Sequence, residues 1–280
     1  MSYSKIKSFA KINLALNIIS KKNNFHNIES IVSFINLHDE ILIKIIKNNQ
    51  HKIKFTGKFK SNIGSDNTVS ELLKIIDKKK LLKNKFQIVI KKNIPSQSGF
   101  GGGSMNAAAI LNYFIKKRLI KISKKEIFKI ANLIGSDVVL GIYSKNLILK
   151  SNKQIKTFLI KKKIFVLIVK PNFGCSTKKI YSKVTKFTKE RFSSPSKKMF
   201  DLKFLKNMKN DLEPIVLRNN TKLMNLKNFL EKLSYVEFVR ITGSGSAIIA
   251  YFNSEKKCKD AEKKVKKQFK NFWSETSKTI

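Results

Sequence analysis

The feature that most constrains this chain is a cluster of glycines between a strand pattern and a helix pattern. The sequence has only 11 Gly in 280 residues, yet four of them are Gly99, Gly101, Gly102 and Gly103. The preceding FQIVIKK (86–92) predicts a β-strand, and the following SMNAAAIL predicts a helix. Glycine lets a backbone approach a ligand closely, and a helix N-terminus attracts anions. We therefore favour a phosphate-binding loop over a flexible linker.

This loop differs from the two commonest nucleotide-binding loops. Ser104 and Met105 follow the last glycine, where a Walker A loop requires Gly-Lys-Ser/Thr. A dinucleotide loop needs a parallel βαβ unit and an acidic residue about 20 positions further on. The acid available here, Glu126, belongs instead to the helix-capping sequence SKKE.

The chain is strongly basic, with 59 Lys+Arg against 18 Asp+Glu and a net charge of +41. Such an excess is compatible with a nucleic-acid partner. However, only four of the cations are Arg, the residue that binds phosphate and guanine through two hydrogen bonds. Lys is also spread along the chain with abundant Ile, Asn and Phe, as AT-rich codons would produce. We therefore favour compositional drift and expect no nucleic-acid partner.

Composition also excludes several protein classes. Hydrophobic residues make up 42% of the chain, too many for a disordered protein. Cys175 and Cys258 are far apart, which excludes a disulfide framework and a Cys-rich zinc site. No run of about 18 apolar residues and no signal-peptide pattern is present, so we expect a cytoplasmic protein without a membrane partner.

Strand and helix patterns alternate without a repeated βαβ unit, which predicts an α+β fold with mixed sheets. Strands are expected at 3–20, 28–37, 41–47, 52–58, 86–92, 145–150, 164–170, 235–241 and 246–252. Helices are expected at 65–77, capped by Ser65 or Asp66, and at 123–133, 220–233 and 254–270, with a long connection at 185–210. A change of composition near 155–162 predicts two domains, 1–157 and 158–280.

Two charged residues stand out against this background. Lys11 lies with Asn13 on an otherwise apolar strand, and Asp137 lies between two apolar runs. A carboxylate in apolar surroundings needs a partner, which Lys11 would provide. The residues alone also allow Asp137 to be the N-cap of a short helix.

These motifs resemble the superfamily of galactokinase, homoserine kinase, mevalonate kinase and phosphomevalonate kinase. The segment from Pro95 through the glycines to Ala108 is similar to its phosphate loop, and Gly135-Ser136-Asp137-Val138 to its catalytic Gly-Ala-Asp segment. The resemblance runs in order from about Ser8 to Phe252. It implies a two-domain small-molecule kinase, with an N-terminal domain like domain 2 of ribosomal protein S5, a ferredoxin-like C-terminal domain and an active site in the cleft between them.

The resemblance also implies ATP as co-substrate, with Mg²⁺ arriving on the nucleotide and no dedicated metal site in the protein. Asp137 would be the catalytic base, and Lys11 would hold Asp137 and the acceptor oxygen. The residues implied to bind ATP are Asn67, Lys92, Pro95, Gly99, Phe100, Gly101, Gly102, Gly103 and Ser104. The chain departs from the superfamily pattern at Ser96, Gln97, Ser98 and Met105.

Further residues resemble the cytidine-recognising branch of the superfamily, which phosphorylates the 2-hydroxyl of a diphosphocytidyl alcohol in the non-mevalonate isoprenoid pathway. The segment Asn23-Asn24-Phe25-His26 is similar to its Asp-Gly-Tyr-His turn, in which the aromatic ring stacks on cytosine and His bonds the base. Asn tolerates the left-handed backbone that such a turn requires. Phe25 could instead be a core aromatic. The residues implied to bind this substrate are Asn13, Phe25, His26, Thr177, Tyr181, Gly243 and Ser244.

Two other functions stay open at this stage. The chain could be another kinase of the superfamily, such as a homoserine or mevalonate kinase, or a basic RNA-binding protein, since S5-like domains also occur there. We expect a small-molecule substrate and a monomer or weak homodimer. The segment Asn210-Asp211-Leu212-Glu213 also matches the superfamily and is expected to be structural.

Overall fold

The computed structural model describes residues 2–23, 25–61, 63–218 and 220–280. Within them the chain mixes ten strands and nine α-helices, which confirms the α+β class. The strands are β1 (Ser4–Lys22), β2 (Phe25–Ile46), β3 (Lys52–Thr56), β4 (Lys85–Lys91), β5 (Asn146–Leu149), β6 (Ile155–Phe158), β7 (Phe165–Lys170), β8 (Phe238–Ile241), β9 (Ile248–Phe252) and β10 (Trp273–Lys278). The helices are α1 (Thr68–Lys78), α2 (Gly102–Lys116), α3 (Lys124–Ile134), α4 (Ser136–Tyr143), α5 (Thr177–Tyr181), α6 (Leu202–Lys206), α7 (Glu213–Arg218), α8 (Thr221–Glu231) and α9 (Glu255–Gln268).

The chain divides into two compact units that do not follow the expected boundary between 157 and 158. The first unit comprises Met1–Lys11, Leu37–Ser96 and Gly101–Ser144, and the second comprises Ile12–Asn36, Gln97–Phe100 and Lys145–Ile280. The reason lies in β1 and β2, which are 19 and 22 residues long and each contribute residues to both units. A single cut in the sequence cannot describe such a division.

The first unit is built around β4. This strand pairs with β3 in parallel and with the end of β2 antiparallel, in the register Glu40↔Lys91 to Ile46↔Lys85. Alternate residues of β4 are buried, and they share a core with apolar residues of α1 and α2. The buried residues of α1 are Val69, Leu72, Leu73 and Ile76, which recur at helical spacing on one face.

The N-cap of α1 is Asn67, so the prediction of Ser65 or Asp66 was wrong. Asn67 has an extended backbone (φ −142°, ψ 168°) directly before the first helical residue, and its Oδ1 accepts the N–H groups of Val69 and Ser70. The Ser70 hydroxyl accepts the Asn67 N–H in return, at 2.9 Å. This reciprocal pair satisfies backbone donors that a helix start otherwise leaves open.

The second unit contains a four-stranded antiparallel sheet with the order β10-β7-β9-β8. Along the chain these four strands and the helices α8 and α9 follow the order β7, α8, β8, β9, α9, β10, which is the ferredoxin-like order; α5, α6 and α7 lie between β7 and α8. The ferredoxin-like prediction is thus confirmed. Both helices bury their apolar side chains in the same core as the sheet; these side chains are Leu223, Leu226, Leu230, Cys258, Ala261 and Val265.

Several elements of the second unit were not predicted. The stretch near 155–162, interpreted as a domain boundary, contains β6, which pairs antiparallel with β5. The connection at 185–210 contains α6 and a short 3-10 helix at Lys197–Phe200. In the part of the chain described here, no helix is both long and apolar enough to cross a membrane.

Replacement of Gly141 by Ala should destabilise the first unit. A Cβ at Gly141 would lie 2.6 Å from the Ala108 Cβ and 3.2 Å from the Met105 Sδ, so α4 must move away from α2. We expect the free energy of unfolding to fall by about 1–3 kcal/mol, measured by urea denaturation. Gly64→Ala is the matched control, because nothing lies within 4 Å of a Cβ there. Equal midpoints for the two variants would contradict the close packing of α2 on α4.

Candidate active site

Lys11 and Asp137 form an ion pair in the first unit. The Lys11 Nζ lies 3.4 Å from Asp137 Oδ2, and the Lys11 side chain is 5% exposed while that of Asp137 is 37% exposed. Asp137 is the second residue of α4, whose N-cap is Gly135, so the N-cap alternative was wrong. The positive end of α4 and the Lys11 ammonium both place positive charge beside this side chain. The pair therefore presents an accessible carboxylate with a buried cation beside it.

The glycine loop approaches this pair with its backbone. Gly101, the N-cap of α2, has a left-handed backbone with φ of 66° and ψ of 25°. A Cβ there would lie 3.0 Å from Asp137 Oδ2 and 3.2 Å from Lys11 Cε. Both the conformation and the spacing therefore require glycine. Among the described residues, no side chain caps α2, so its first N–H groups are available to an anion.

A second lysine–aspartate pair lies beside the next glycine. Lys92 is buried and pairs with Asp39. A Cβ at Gly102 would lie 3.4 Å from the Lys92 Nζ, which brings the ammonium to the start of α2. Sequence reasoning missed Asp39. The available signal was an acid within the apolar strand pattern NLHDEILI.

The other residues expected to bind ATP differ in burial and in the elements to which they belong. Asn67 uses its side chain to cap α1, and Pro95 is buried. Phe100 is also fully buried, so its side chain belongs to the core. Ser104 lies in the first turn of α2. The departure at Met105 is a packing residue, 3% exposed and close to Gly141.

The start of the glycine loop belongs to the second unit, where the turn between β8 and β9 holds it. The Gln97 carbonyl accepts the N–H groups of Cys175 (3.4 Å) and Ser246 (3.3 Å). Gly99 has φ of 85°, and a Cβ there would collide with the Thr242 carbonyl. The conformation of this part of the loop thus depends on the turn at 242–246.

The same turn brings together four of the predicted substrate-binding residues. The Asn13 N–H donates to Thr242 Oγ1 at 3.0 Å, and a Cβ at Gly243 would lie 3.4 Å from Asn13 Oδ1. The hydroxyls of Thr177 and Ser244 lie 2.9 Å apart. Asn13, Thr177, Gly243 and Ser244 therefore surround one turn in the second unit.

The segment at 210–213 stabilises this turn through hydrogen bonds to its backbone. Asn210 Nδ2 donates to the carbonyls of Ile241 (2.8 Å) and Gly243 (2.7 Å). The Glu213 carboxylate accepts the Ile241 N–H at 2.6 Å, and burial raises the pKa of Glu213. These contacts agree with the structural role expected for the segment.

The aromatic residues expected at a cytosine lie at the start of β2 and in α5. The His26 and Tyr181 ring centroids are 5.1 Å apart, at an interplanar angle of 47°. Phe25 is 80% exposed, so the alternative of a core aromatic was wrong. His26 Nε2 is buried and has no hydrogen-bond partner among the described residues. Asn23 has the left-handed φ of 53° that the turn requires, whereas Asn24 lies outside the described residues.

Within residues 2–23, 25–61, 63–218 and 220–280, no group of three or more His, Cys, Asp or Glu side chains is placed to hold a metal ion.

Comparison with known proteins first defines a class. Residues 67–145 match the family model described as GHMP kinases N terminal domain. The chain superposes on the crystal structure of a 4-(cytidine 5'-diphospho)-2C-methyl-D-erythritol kinase with a TM-score of 0.78 and 18% identity, covering 98% of this chain and 99% of that one. Homoserine kinase from Cytophaga hutchinsonii gives a TM-score of 0.73 and 16% identity, covering 100% and 95%. The fold is that of a GHMP kinase.

A curated relative narrows this class. The 4-diphosphocytidyl-2-C-methyl-D-erythritol kinase of Pelagibacter ubique is 54% identical over 281 residues, covering 100% of each chain. The chain therefore belongs to the 4-diphosphocytidyl-2-C-methyl-D-erythritol kinase family.

The surroundings of His26 predict that its pKa is lower than that of a free histidine. Burial, and secondarily the charge of Lys21, lower the pKa of His26. The folded protein thus binds this proton more weakly than the unfolded chain, so His26 lowers the free energy of unfolding as the pH falls through about 6.5. We expect NMR titration to give a pKa below about 6.5. Tyr181→Ala should raise the pKa of His26, because loss of the tyrosine exposes the imidazole ring to water. Replacement of the exposed Tyr235 by Ala should leave this pKa unchanged. Equal shifts in the two variants would contradict the burial of His26 by Tyr181.

Proposed function

We propose that the protein transfers the γ-phosphoryl group of ATP to the 2-hydroxyl of 4-diphosphocytidyl-2-C-methyl-D-erythritol, giving the 2-phosphate and ADP. The observation that carries the proposal is the Lys11–Asp137 pair in contact with Gly101 of an uncapped helix start. Membership of the family supports the choice of substrate. We place the reaction in the cytoplasm, in a monomer or weak homodimer, with small molecules as its partners.

Asp137 acts as the general base in this proposal. Its side chain is 37% exposed, so a hydroxyl group can reach the carboxylate, while the ammonium of Lys11 lies 3.4 Å away. As the hydroxyl attacks the phosphorus, Asp137 accepts its proton and Lys11 offsets the negative charge that develops on the oxygen. Lys11 also fixes the direction of the carboxylate, which limits the positions from which the hydroxyl can attack.

The triphosphate is assigned to the N-terminus of α2. The N–H groups of Gly102, Gly103 and Ser104 occupy the first turn and have no side-chain cap, and the Lys92 ammonium adds positive charge beside Gly102. Mg²⁺ prefers oxygen ligands and is commonly held through substrate phosphates, and the Ser104 hydroxyl is the protein group placed to join them. When bound, the ion neutralises charge on the transferring phosphoryl group.

The cytidine moiety is assigned to Phe25, His26 and Tyr181. Phe25 exposes an apolar ring, which a stacked base would cover. His26 Nε2 is a buried polar atom that lacks a partner within the described part of the chain, so a hydrogen bond from the base would remove an energetic penalty. The Thr177 and Ser244 hydroxyls share one hydrogen bond, which leaves one O–H donor and their remaining acceptor positions for the rest of the substrate.

Asp137→Asn tests the base. The amide keeps the shape but cannot accept the proton, so kcat should fall about 10²–10⁴-fold in an ADP-release assay with the cytidine substrate. Asp260→Asn is the matched control, because that acid is on α9 with a side chain 54% exposed. Equal rates for wild type and Asp137→Asn would remove Asp137 from its role.

Phe25→Ala tests the choice of substrate. Loss of one stacking surface should raise KM for the cytidine substrate about 5–150-fold and leave KM for ATP unchanged. Phe187→Ala removes another exposed phenylalanine, 50% exposed, and should change neither value. Turnover of homoserine or mevalonate, insensitive to Phe25, would favour another kinase of the superfamily. Salt-sensitive RNA binding without ADP release would favour the nucleic-acid alternative.

A further inference from the structure

One buried carboxylate beside the glycine loop has no part in the proposed chemistry. Asp39, on β2, is fully buried. Its Oδ1 accepts the backbone N–H groups of Asn93 (2.7 Å) and Ile94 (2.8 Å), and its Oδ2 accepts from the Lys92 ammonium. Asp39 thus holds the three consecutive residues 92–94, which connect the end of β4 to the glycine loop.

Two of those residues also contact the start of α2. A Cβ at Gly102 would lie 3.1 Å from Ile94 Cγ2 and 3.4 Å from the Lys92 Nζ. The backbone of Lys92 is held as well, since its N–H donates to the Thr56 carbonyl at 2.7 Å. Asp39 therefore holds the ammonium of Lys92 and β3 holds its backbone, and together they set the position of the ammonium relative to α2.

The electrostatics of this arrangement point to an anion. The Lys92 ammonium lies close to the N-terminus of α2, which is itself the positive end of a helix dipole. Two positive centres at this spacing repel one another. Asp39 offsets part of that repulsion from the buried side, and a polyanion at the N-terminus would offset the rest.

We propose that Asp39 is a positioning residue for ATP, because it holds the Lys92 ammonium where this cation and the first N–H groups of α2 bind the same triphosphate. The inference rests on the proposed function in taking ATP as the ligand. Asp39 acts through Lys92 and does not touch the nucleotide, since its side chain is 0% exposed and both its oxygens are engaged.

The test is a double-mutant cycle on Asp39→Asn and Lys92→Met. Calorimetry measures the dissociation constant of Mg-ATP, and steady-state assays measure kcat and both KM values. Asp39→Asn should weaken Mg-ATP binding by about tenfold or more, and should leave KM for the cytidine substrate unchanged. In the Lys92→Met background, the same change should weaken ATP binding less than about twofold, because Asp39 has no cation left to hold.

The adjacent acid supplies the matched control. Glu40 is the next residue of β2, and its side chain is 29% exposed and pairs with Lys5 at 3.0 Å. Glu40→Gln removes the same charge from the same strand and should leave ATP affinity unchanged. A role of Asp39 in stability alone would lower the melting temperature without changing the ATP affinity of the folded protein.

Several outcomes would overturn the inference: unchanged ATP affinity in Asp39→Asn, additive effects in the double variant, or no Mg-ATP binding by the wild type. If Asp39→Asn does not fold, the inference is tested by comparing ATP binding of Lys92→Met with that of the double variant. Neither of these two variants leaves an unpaired ammonium buried in the protein. Equally weak ATP binding by both supports the inference, and a further loss in the double variant overturns it. Asp39-dependent ATP binding without ADP release from the cytidine substrate would refute the proposed function alone.

Discussion

The close approach of the glycine loop to two lysine–aspartate pairs is the constraint on which the first unit depends. Gly101 meets Lys11 and Asp137, and the adjacent Gly102 meets Lys92, which Asp39 holds. A side chain at either glycine would crowd these charged groups. The bare backbone therefore lets two cations and a helix N-terminus converge, as binding a highly charged anion requires.

How far the site could be predicted depended on whether each residue stands out from its neighbours in the sequence. Asp137 was found because it is an acid among apolar residues, and the loop was found because four glycines fall within five residues of a glycine-poor chain. Asp39 and Lys92 are 53 residues apart and meet only because β2 and β4 pair in the register Glu40↔Lys91. Register is decided by strand pairing, which no local pattern contains.

The fold showed a similar limit. Helices such as α9 were predictable because a buried stripe recurs at helical spacing. The strand β10 was not, because its sequence WSETSK is polar and it pairs with one neighbour at the edge of its sheet. The division into units was missed because residues within β1 and β2 differ in their partners, although their sequence pattern is continuous.

The division of the chain into two discontinuous units also affects folding during synthesis. The polypeptide passes between the units five times, so neither unit is a continuous segment. The second unit joins the early residues Ile12–Asn36 to Lys145–Ile280, so it cannot finish folding until the last part of the chain is synthesised. Leu16 and Ile18 leave the ribosome early, yet they share their core with residues of β7, β9 and α9. Until the last third of the chain emerges, these apolar residues lack their native neighbours in β9 and α9. Early strands of this kind are where newly made chains aggregate or recruit chaperones.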